Sequence, residues 1–324
     1  MKNKFLVKIF TLFLILVFTT PASVFATVLK FAQVSDIHYQ PNAPKNEKSF
    51  KLKYYSLKFL DDAAEQIKNE KNVDFVLVTG DAADKPLVKD FDFIYKYLNK
   101  VLPKPWYYCL GNHDVAIKGE LSKAKQIELL NQINPKGFAK DKTYYTFSPR
   151  RDMTFIGLDA TYDTKITSQG YLPPEQLNFV DDTIKNAKKD VIVIFLHHPL
   201  TYPAQSSDHN IINDTAFKAI LKKYDNPILV IGGHFHACKI ERDGNLIEVA
   251  SPALVSYPNA FRFVTIDNKK DKTTFIIDYR ETTHKDLQNL AKTRMVWGHS
   301  WVYGNASDRL TTIVVDKSAK ISKI

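Results

Sequence analysis

Cysteine is almost absent: Cys109 and Cys238 are the pair in 324 residues, and no C-x-x-C spacing exists. A thiolate zinc site is therefore not expected. The two could pair in an exported protein, but each sits within a few residues of candidate metal ligands, and Cys109 reads as a buried strand residue. Internal repeats and low-complexity tracts are missing. So is any concentrated basic and aromatic surface, which argues against a nuclease. Beyond residue 26 no segment is apolar enough to span a membrane. Hydrophobic residues make up 44% and charged residues 25%, ordinary for a globular chain, so disorder is not expected.

The formal net charge is +10. Lys2, Lys4 and Lys8 supply three of these charges and the rest of the chain seven. The other lysines are scattered, as in Lys45, Lys48, Lys51 and Lys53, or Lys185, Lys188 and Lys189, or Lys269, Lys270 and Lys272. Scattered lysines read as solvated faces. A weak attraction to anionic substrates, an anionic membrane or cell-wall polymer is the most they support. Residues 1–26 combine the basic start, the apolar run Ile9 to Phe18 and the small-residue end Val24-Phe25-Ala26. That is the layout of a signal peptide cleaved after Ala26, hence a secreted or extracytoplasmic protein; uncleaved, it would be a membrane anchor.

From Thr27 to about Ile231 short runs of Val, Ile and Phe alternate with amphipathic stretches. Ser49–Lys68, Leu87–Leu98, Glu120–Ile133, Pro173–Ala187 and Asp214–Tyr224 carry a helical period. Strand and helix in alternation predict βαβ units and parallel pairing. After Ile231 the strands crowd: Cys238–Arg242, Leu246–Ala250, Arg262–Ile266 and Thr274–Tyr279, with a hairpin turn at Asp243-Gly244. Thr143–Phe147 and Met153–Leu158 form a similar pair. A second, more antiparallel sheet packed on the first is expected, in one domain over residues 27–281. Residues 282–324 form a C-terminal extension packed on it, with a helix over Leu287–Trp297 and a strand over Leu310–Val315. Its cluster Trp297, His299, Trp301 and Tyr303 either packs on the outside or closes over a site.

Five apolar runs end in polar, metal-ligating residue types. Asp36-Ile37-His38 follows Phe31 to Val34, and Gly80-Asp81 follows Phe75 to Thr79. Gly111-Asn112-His113-Asp114 follows Trp106 to Leu110. His197-His198 follows Val191 to Leu196, and Gly233-His234-Phe235-His236 follows Ile228 to Ile231. Ligands of open α/β sheets bind at the carboxyl ends of strands, so these tips converge. Singly they mean little. Together their His, Asp and Asn side chains are more than one metal needs and about right for two. Oxygen and imidazole donors without thiolate favour Mn, Fe or Zn. Two metals need a bridging anion, and Asp81, beside a glycine that allows a sharp turn, fits. Such a pair clamps a phosphoryl group for in-line attack by an activated bridging water.

This ordered set resembles the calcineurin-like metallophosphoesterase superfamily, with every block present between about residues 30 and 240. The resemblance implies a four-layer α/β/β/α sandwich of two mixed β-sheets flanked by helices. It implies one metal held by Asp36, His38, Asp81 and His236, and another held by Asp81, Asn112, His197 and His234, with His198 an alternative to His197. It makes His113 the non-ligand histidine that protonates the leaving oxygen. Asp84 becomes the carboxylate that orients His113 and raises its pKa, or an N-cap before Pro86, or both. Asp114 braces its loop. Purple acid phosphatases have a tyrosine where Asp84 stands, so ferric charge-transfer chemistry is not implied. His209, His284 and His299 match no block and read as surface histidines. In the return Ser251–Arg262, Asn259 or Arg262 could touch substrate or be structural. A two-domain 5′-nucleotidase is disfavoured, since about 45 residues follow Tyr279. The implied activity is an exported phosphoesterase acting on a small phosphomonoester or phosphodiester, cyclic nucleotides included. The alternative is a catalytically silent scaffold, which would be expected to lack ligands that are all filled here.

Overall fold

The computed structural model describes residues 27–116, 121–188, 190–203, 207–296 and 298–317. Strand β1 (Thr27–Val34) is followed by α1 (Ser56–Asn69), β2 (Phe75–Thr79), α2 (Val88–Val101), β3 (Trp106–Cys109) and α3 (Lys123–Ile133). The hairpin β4 (Tyr145–Arg150) and β5 (Met153–Gly157) precedes α4 (Pro174–Asn186), β6 (Val191–Phe195), α5 (Asp214–Leu221) and β7 (Ile228–Gly232). Then come β8 (Lys239–Asp243), β9 (Leu246–Ala250), β10 (Ala260–Asn268) and β11 (Lys272–Glu281). The chain continues through α6 (Lys285–Arg294), α7 (His299–Tyr303), α8 (Ala306–Arg309) and β12 (Thr311–Asp316).

The strands divide into two six-stranded sheets, ordered β12-β11-β10-β1-β2-β3 and β4-β5-β6-β7-β9-β8. The expected split between an early parallel sheet and a late antiparallel one does not occur. The first sheet is parallel from β1 to its edge strand β3 and antiparallel across β1, β10, β11 and β12, while the second has a parallel centre and antiparallel edges. β1 pairs parallel with β2 and antiparallel with β10, which brings Phe31 opposite both Phe75 and Val264. In the other sheet β9 lies parallel to β7, while β8 returns antiparallel along its edge. The late strands thus complete both sheets.

Burial explains the layering. Strands buried on both faces read as unbroken apolar runs; β2, β5, β6 and β7 are buried at every position. Between the sheets lie Phe31, Phe75, Phe155, Val193, Leu229 and Val264. Phe31 stacks on Phe75 at 5.5 Å and meets Phe155 edge-on at 5.6 Å, pairs worth ~0.5–1.5 kcal/mol each beyond their area. On the outer face of the first sheet α1 buries Phe59, Leu60, Ala63, Ala64 and Ile67, spaced as one helical stripe. Val180, Ile184, Phe217 and Leu221 from α4 and α5 cover the other sheet. The result is the four-layer α/β/β/α sandwich.

The C-terminal segment is more than an outer layer, because β12 extends the first sheet by pairing with β11. Its helix ends at Arg294, short of Trp297, which lies outside the described residues. Cys109 and Cys238 are both buried and free, Cys109 between the sheets. The leader expected over residues 1–26 lies outside the described residues. Among the described residues no helix is long and apolar enough to cross a membrane.

Candidate metal centre

The loops that leave β1, β2, β3, β6 and β7 at their carboxyl ends meet over one crevice. Their backbones are unusual. Asp36, His38, Asp81, His234 and His236 all adopt positive φ, between 47° and 67°. Non-glycine residues seldom do so, at a cost on the order of 1–3 kcal/mol each. The strain turns each side chain sharply inward off its strand. Gly80 has φ +83°, and a Cβ there would lie 2.6 Å from His197 Nδ1. Gly111 is needed for a different reason, close approach, since a Cβ would collide with Asp81 Oδ1.

Asp81 stands at the centre. Its Oδ2 lies 3.4 Å from His38 Nε2 and 3.3 Å from His197 Nε2. On one side Asp36 Oδ1 is 3.1 Å from His236 Nε2 and 3.8 Å from His38 Nε2. On the other, His197 Nε2 is 3.2 Å from Asn112 Oδ1 and 3.1 Å from His234 Nδ1. The seven side chains expected from the sequence therefore come together in two groups that share Asp81. His197, not His198, faces Asp81. His198 turns Nε2 toward the Ser168 carbonyl at 3.1 Å, and burial pulls its pKa down to about 3.

The donor set fits a metal. Asp36 Oδ1, His38 Nε2 and His234 Nε2 are buried and have no hydrogen-bond partner, a costly state unless a cation takes them up. Asp36, His38 and His236, and likewise Asp36, Asp81 and His197, each bring three ligand atoms within 4.8 Å of one another. Outer partners fix the rings. His197 Nδ1 lies 2.8 Å from the Thr79 carbonyl, His236 Nδ1 2.7 Å from Ser256 Oγ, and His38 Nδ1 3.3 Å from Asp84 Oδ1. Holding the far nitrogen of an imidazole sets its tautomer and aims the near one.

Charge states suit ligation. Burial pushes the Asp36 and Asp81 carboxyls up, but the histidines around them outweigh it and hold both well below the carboxylate range. Burial keeps His236 neutral, at about 4, and also pulls the His234 pKa well below the ordinary imidazole value. His197 differs: burial opposes its charge, but Asp81 and Asp36 hold it up at about 9. To hold a metal it would first have to give up a proton.

His113 lines the crevice, its amide donating to Asp81 Oδ1 at 2.9 Å. The expected carboxylate contact from Asp84 is not what positions it. The Asp84 main-chain carbonyl lies 2.8 Å from His113 Nδ1. The Asp84 carboxylate instead faces His38 and Lys53 Nζ, the latter at 3.1 Å. Burial, not a carboxylate, dominates the His113 pKa and lowers it, against the pull of Asp81. Asp84 is also no N-cap, since α2 begins at Val88 with Leu87 before it. Asp114 does brace the loops: its Oδ2 accepts from the Gly111 amide at 2.7 Å, the Asp81 amide at 3.1 Å and Tyr108 Oη at 2.6 Å.

Several residues that sequence reasoning set aside belong here. His209, read as a surface histidine, packs its ring 5.2 Å from His234 and 5.8 Å from Phe235. Lys51, read as solvated, reaches the crevice with Nζ 3.5 Å from His38 Nδ1. Phe50 and Trp301 also line it. Conversely, Arg262 is fully buried, bonded to Ser251 Oγ and the carbonyls of Ala250 and Asp308, and Asn259 is buried against the Leu254 carbonyl. Both are structural. His284 lies 3.5 Å from Asp62, and the His299 side chain lies outside the described residues.

Comparison with known proteins agrees with this geometry. A 3′,5′-cyclic-nucleotide phosphodiesterase of Nostoc sp. is 24% identical over 227 residues, 69% of this chain and 78% of that one. A 3′,5′-cyclic adenosine monophosphate phosphodiesterase of Haemophilus influenzae is 26% identical over 231 residues, 70% of this chain and 76% of that one. A dimetal phosphatase from Danio rerio has the same fold, with TM-score 0.61 at 16% identity over 79% of this chain and 96% of that one. The sequence profile of the calcineurin-like phosphoesterases matches residues 29–238, about two thirds of the length and all five strand-tip blocks, so the chain belongs to the calcineurin-like phosphoesterase family.

Proposed function

We propose that this protein is an exported, two-metal phosphoesterase that hydrolyses small phosphodiesters, cyclic nucleotides among them. The observation that carries the reading is the place of Asp81 Oδ2, between His38 Nε2 at 3.4 Å and His197 Nε2 at 3.3 Å. One carboxylate oxygen set between two imidazole groups suits a shared ligand. Asp36, His38 and His236 would complete one site; Asn112, His197 and His234 would complete the other. Two metal ions of the Mn, Fe or Zn type would supply Lewis acidity toward the phosphoryl oxygens and an activated water.

The chain's own residues do the rest. The Asp84 carbonyl accepts from His113 Nδ1, which leaves Nε2 to meet the substrate; in the imidazolium form, with both nitrogens protonated, Nε2 would donate its proton to the leaving oxygen. Lys51 adds a cation on the same wall, suited to a phosphoryl oxygen. Diester cleavage is favoured over monoester cleavage by the named activities of the Nostoc and Haemophilus relatives. Export rests on the composition of residues 1–26.

The test is turnover by Mn-loaded protein of cyclic AMP, a bis-aryl phosphate and an aryl phosphate. Hydrolysis of the two diesters above the monoester is expected. No turnover of any of the three, unchanged by His113→Ala, leaves the silent-scaffold reading in its place.

A further inference from the structure

The crevice holds a cavity of about 390 Å³, within the range of small-molecule sites. Asp81, Asn112 and His113 line its metal side. Phe50, Phe235 and Trp301 give it an apolar side that phosphate chemistry does not require. Trp301 comes from α7, over sixty residues beyond the end of the family-matched span. We propose that Trp301 and Phe50 form an aromatic wall that receives a planar ring carried by the substrate, so that nucleobase-bearing phosphates bind in preference to those of glycerol and other ringless alcohols.

The wall is built, not incidental. Val302, next to Trp301, is fully buried in the core under the first sheet. Its carbonyl accepts from the Cys238 amide at 2.9 Å, two residues after His236. Tyr303 stacks on Tyr257 at 5.9 Å and its hydroxyl reaches Glu281 at 2.9 Å. Arg309 lies 4.2 Å over the Tyr303 ring. Arg262, buried at the centre of the sheet, donates to the Asp308 carbonyl at 2.9 Å and so ties α8 down behind α7. These anchors place Trp301 beside a metal-ligand loop at fixed range. The Leu52 amide donates to the Val255 carbonyl at 2.8 Å, which pins the segment carrying Phe50. The Phe50 ring sits edge-on to His236 at 5.9 Å. Two rigid aromatic side chains beside a phosphate-binding floor offer a base the stacking surface that alcohol groups cannot use.

The inference rests on the phosphoesterase reading for where the phosphate lies, and its test is binding, not turnover. Calorimetry on Mn-loaded full-length protein compares AMP with glycerol 3-phosphate. AMP is expected to bind more tightly. Trp301→Ala and Phe50→Ala should each weaken AMP roughly 5- to 150-fold while leaving glycerol 3-phosphate within about twofold, and Trp301→Phe, which keeps a ring, should retain most of the affinity. Equal affinity for the two ligands in the unmodified protein, equal weakening of both, or unchanged AMP binding in the alanine variants each overturns the wall. Failure of the phosphoesterase reading is a separate result, absence of hydrolysis, which this binding measurement does not depend on.

Discussion

His113 meets Asp84 through the main chain: the Asp84 carbonyl lies 2.8 Å from Nδ1, while the Asp84 carboxylate points the other way, 3.3 Å from His38 Nδ1. One residue thus supports two histidines by two different atoms. A side-chain substitution removes the support of His38 and the Lys53 ion pair but leaves the carbonyl that holds His113. Asp84→Ala is therefore expected to weaken metal affinity about 10–100-fold, the usual cost of losing a ligand's outer partner. Turnover at saturating metal should stay close to normal. Metal titration followed by assay checks this, and a turnover loss that excess metal does not recover would return Asp84 to the role first expected of it, orienting His113 and raising its pKa.

His113 also brings a ring nitrogen within 4.8 Å of ligand atoms of His38 and Asp81, but the role proposed for it is proton transfer, not metal binding. His113→Ala should keep two equivalents of metal and lose turnover on the order of 10²–10⁴-fold, the span of general acid catalysis. Elemental analysis and kinetics on one preparation separate the two effects.

How much of this was legible in the chain is clear from particular residues. Asp36, Asp81 and His197 could be placed because each follows an unbroken apolar strand, and strand ends converge by topology. The pairing of β1 with β10 could not, because Thr27 and Asn268 become neighbours across most of the chain with no local signal. Lys51 and His209 were missed for a related reason. Lys51 stands in a bend and His209 in a single 3₁₀ turn, and only the tertiary fold carries them to the crevice. The Asp84 carbonyl was invisible in principle, since every residue has one. The positive φ of five candidate ligand residues is equally silent, because none of them is a glycine.

Arg262 illustrates a buried charge with neutral partners: its donors go to Ser251 Oγ and to the carbonyls of Ala250 and Asp308. Removing it orphans those acceptors and loosens the C-terminal segment. Hydrogen bonds to charged groups run about 1.5–3 kcal/mol each, so Arg262→Ala should lower the urea midpoint distinctly. Metal content of the folded fraction should be unchanged. A variant as stable as the parent would mean that the segment docks without this tie.

Asp81 carries the strongest expectation. Its Oδ2 is near-equidistant from His38 Nε2 and His197 Nε2, and its Oδ1 accepts the His113 amide. Asp81→Asn is close to isosteric and keeps an acceptor for that amide, so the loop need not move. What it removes is the negative charge shared by both groups, on which neutral His234 and His236 cannot improve. Loss of one metal alone would mean that the two sites are independent. Loss of both, with His113 still ordered, is the outcome that a shared carboxylate requires. Metal analysis by mass spectrometry, at a folded fraction confirmed by circular dichroism, decides between them; two full equivalents retained in Asp81→Asn would contradict the shared-ligand assignment altogether.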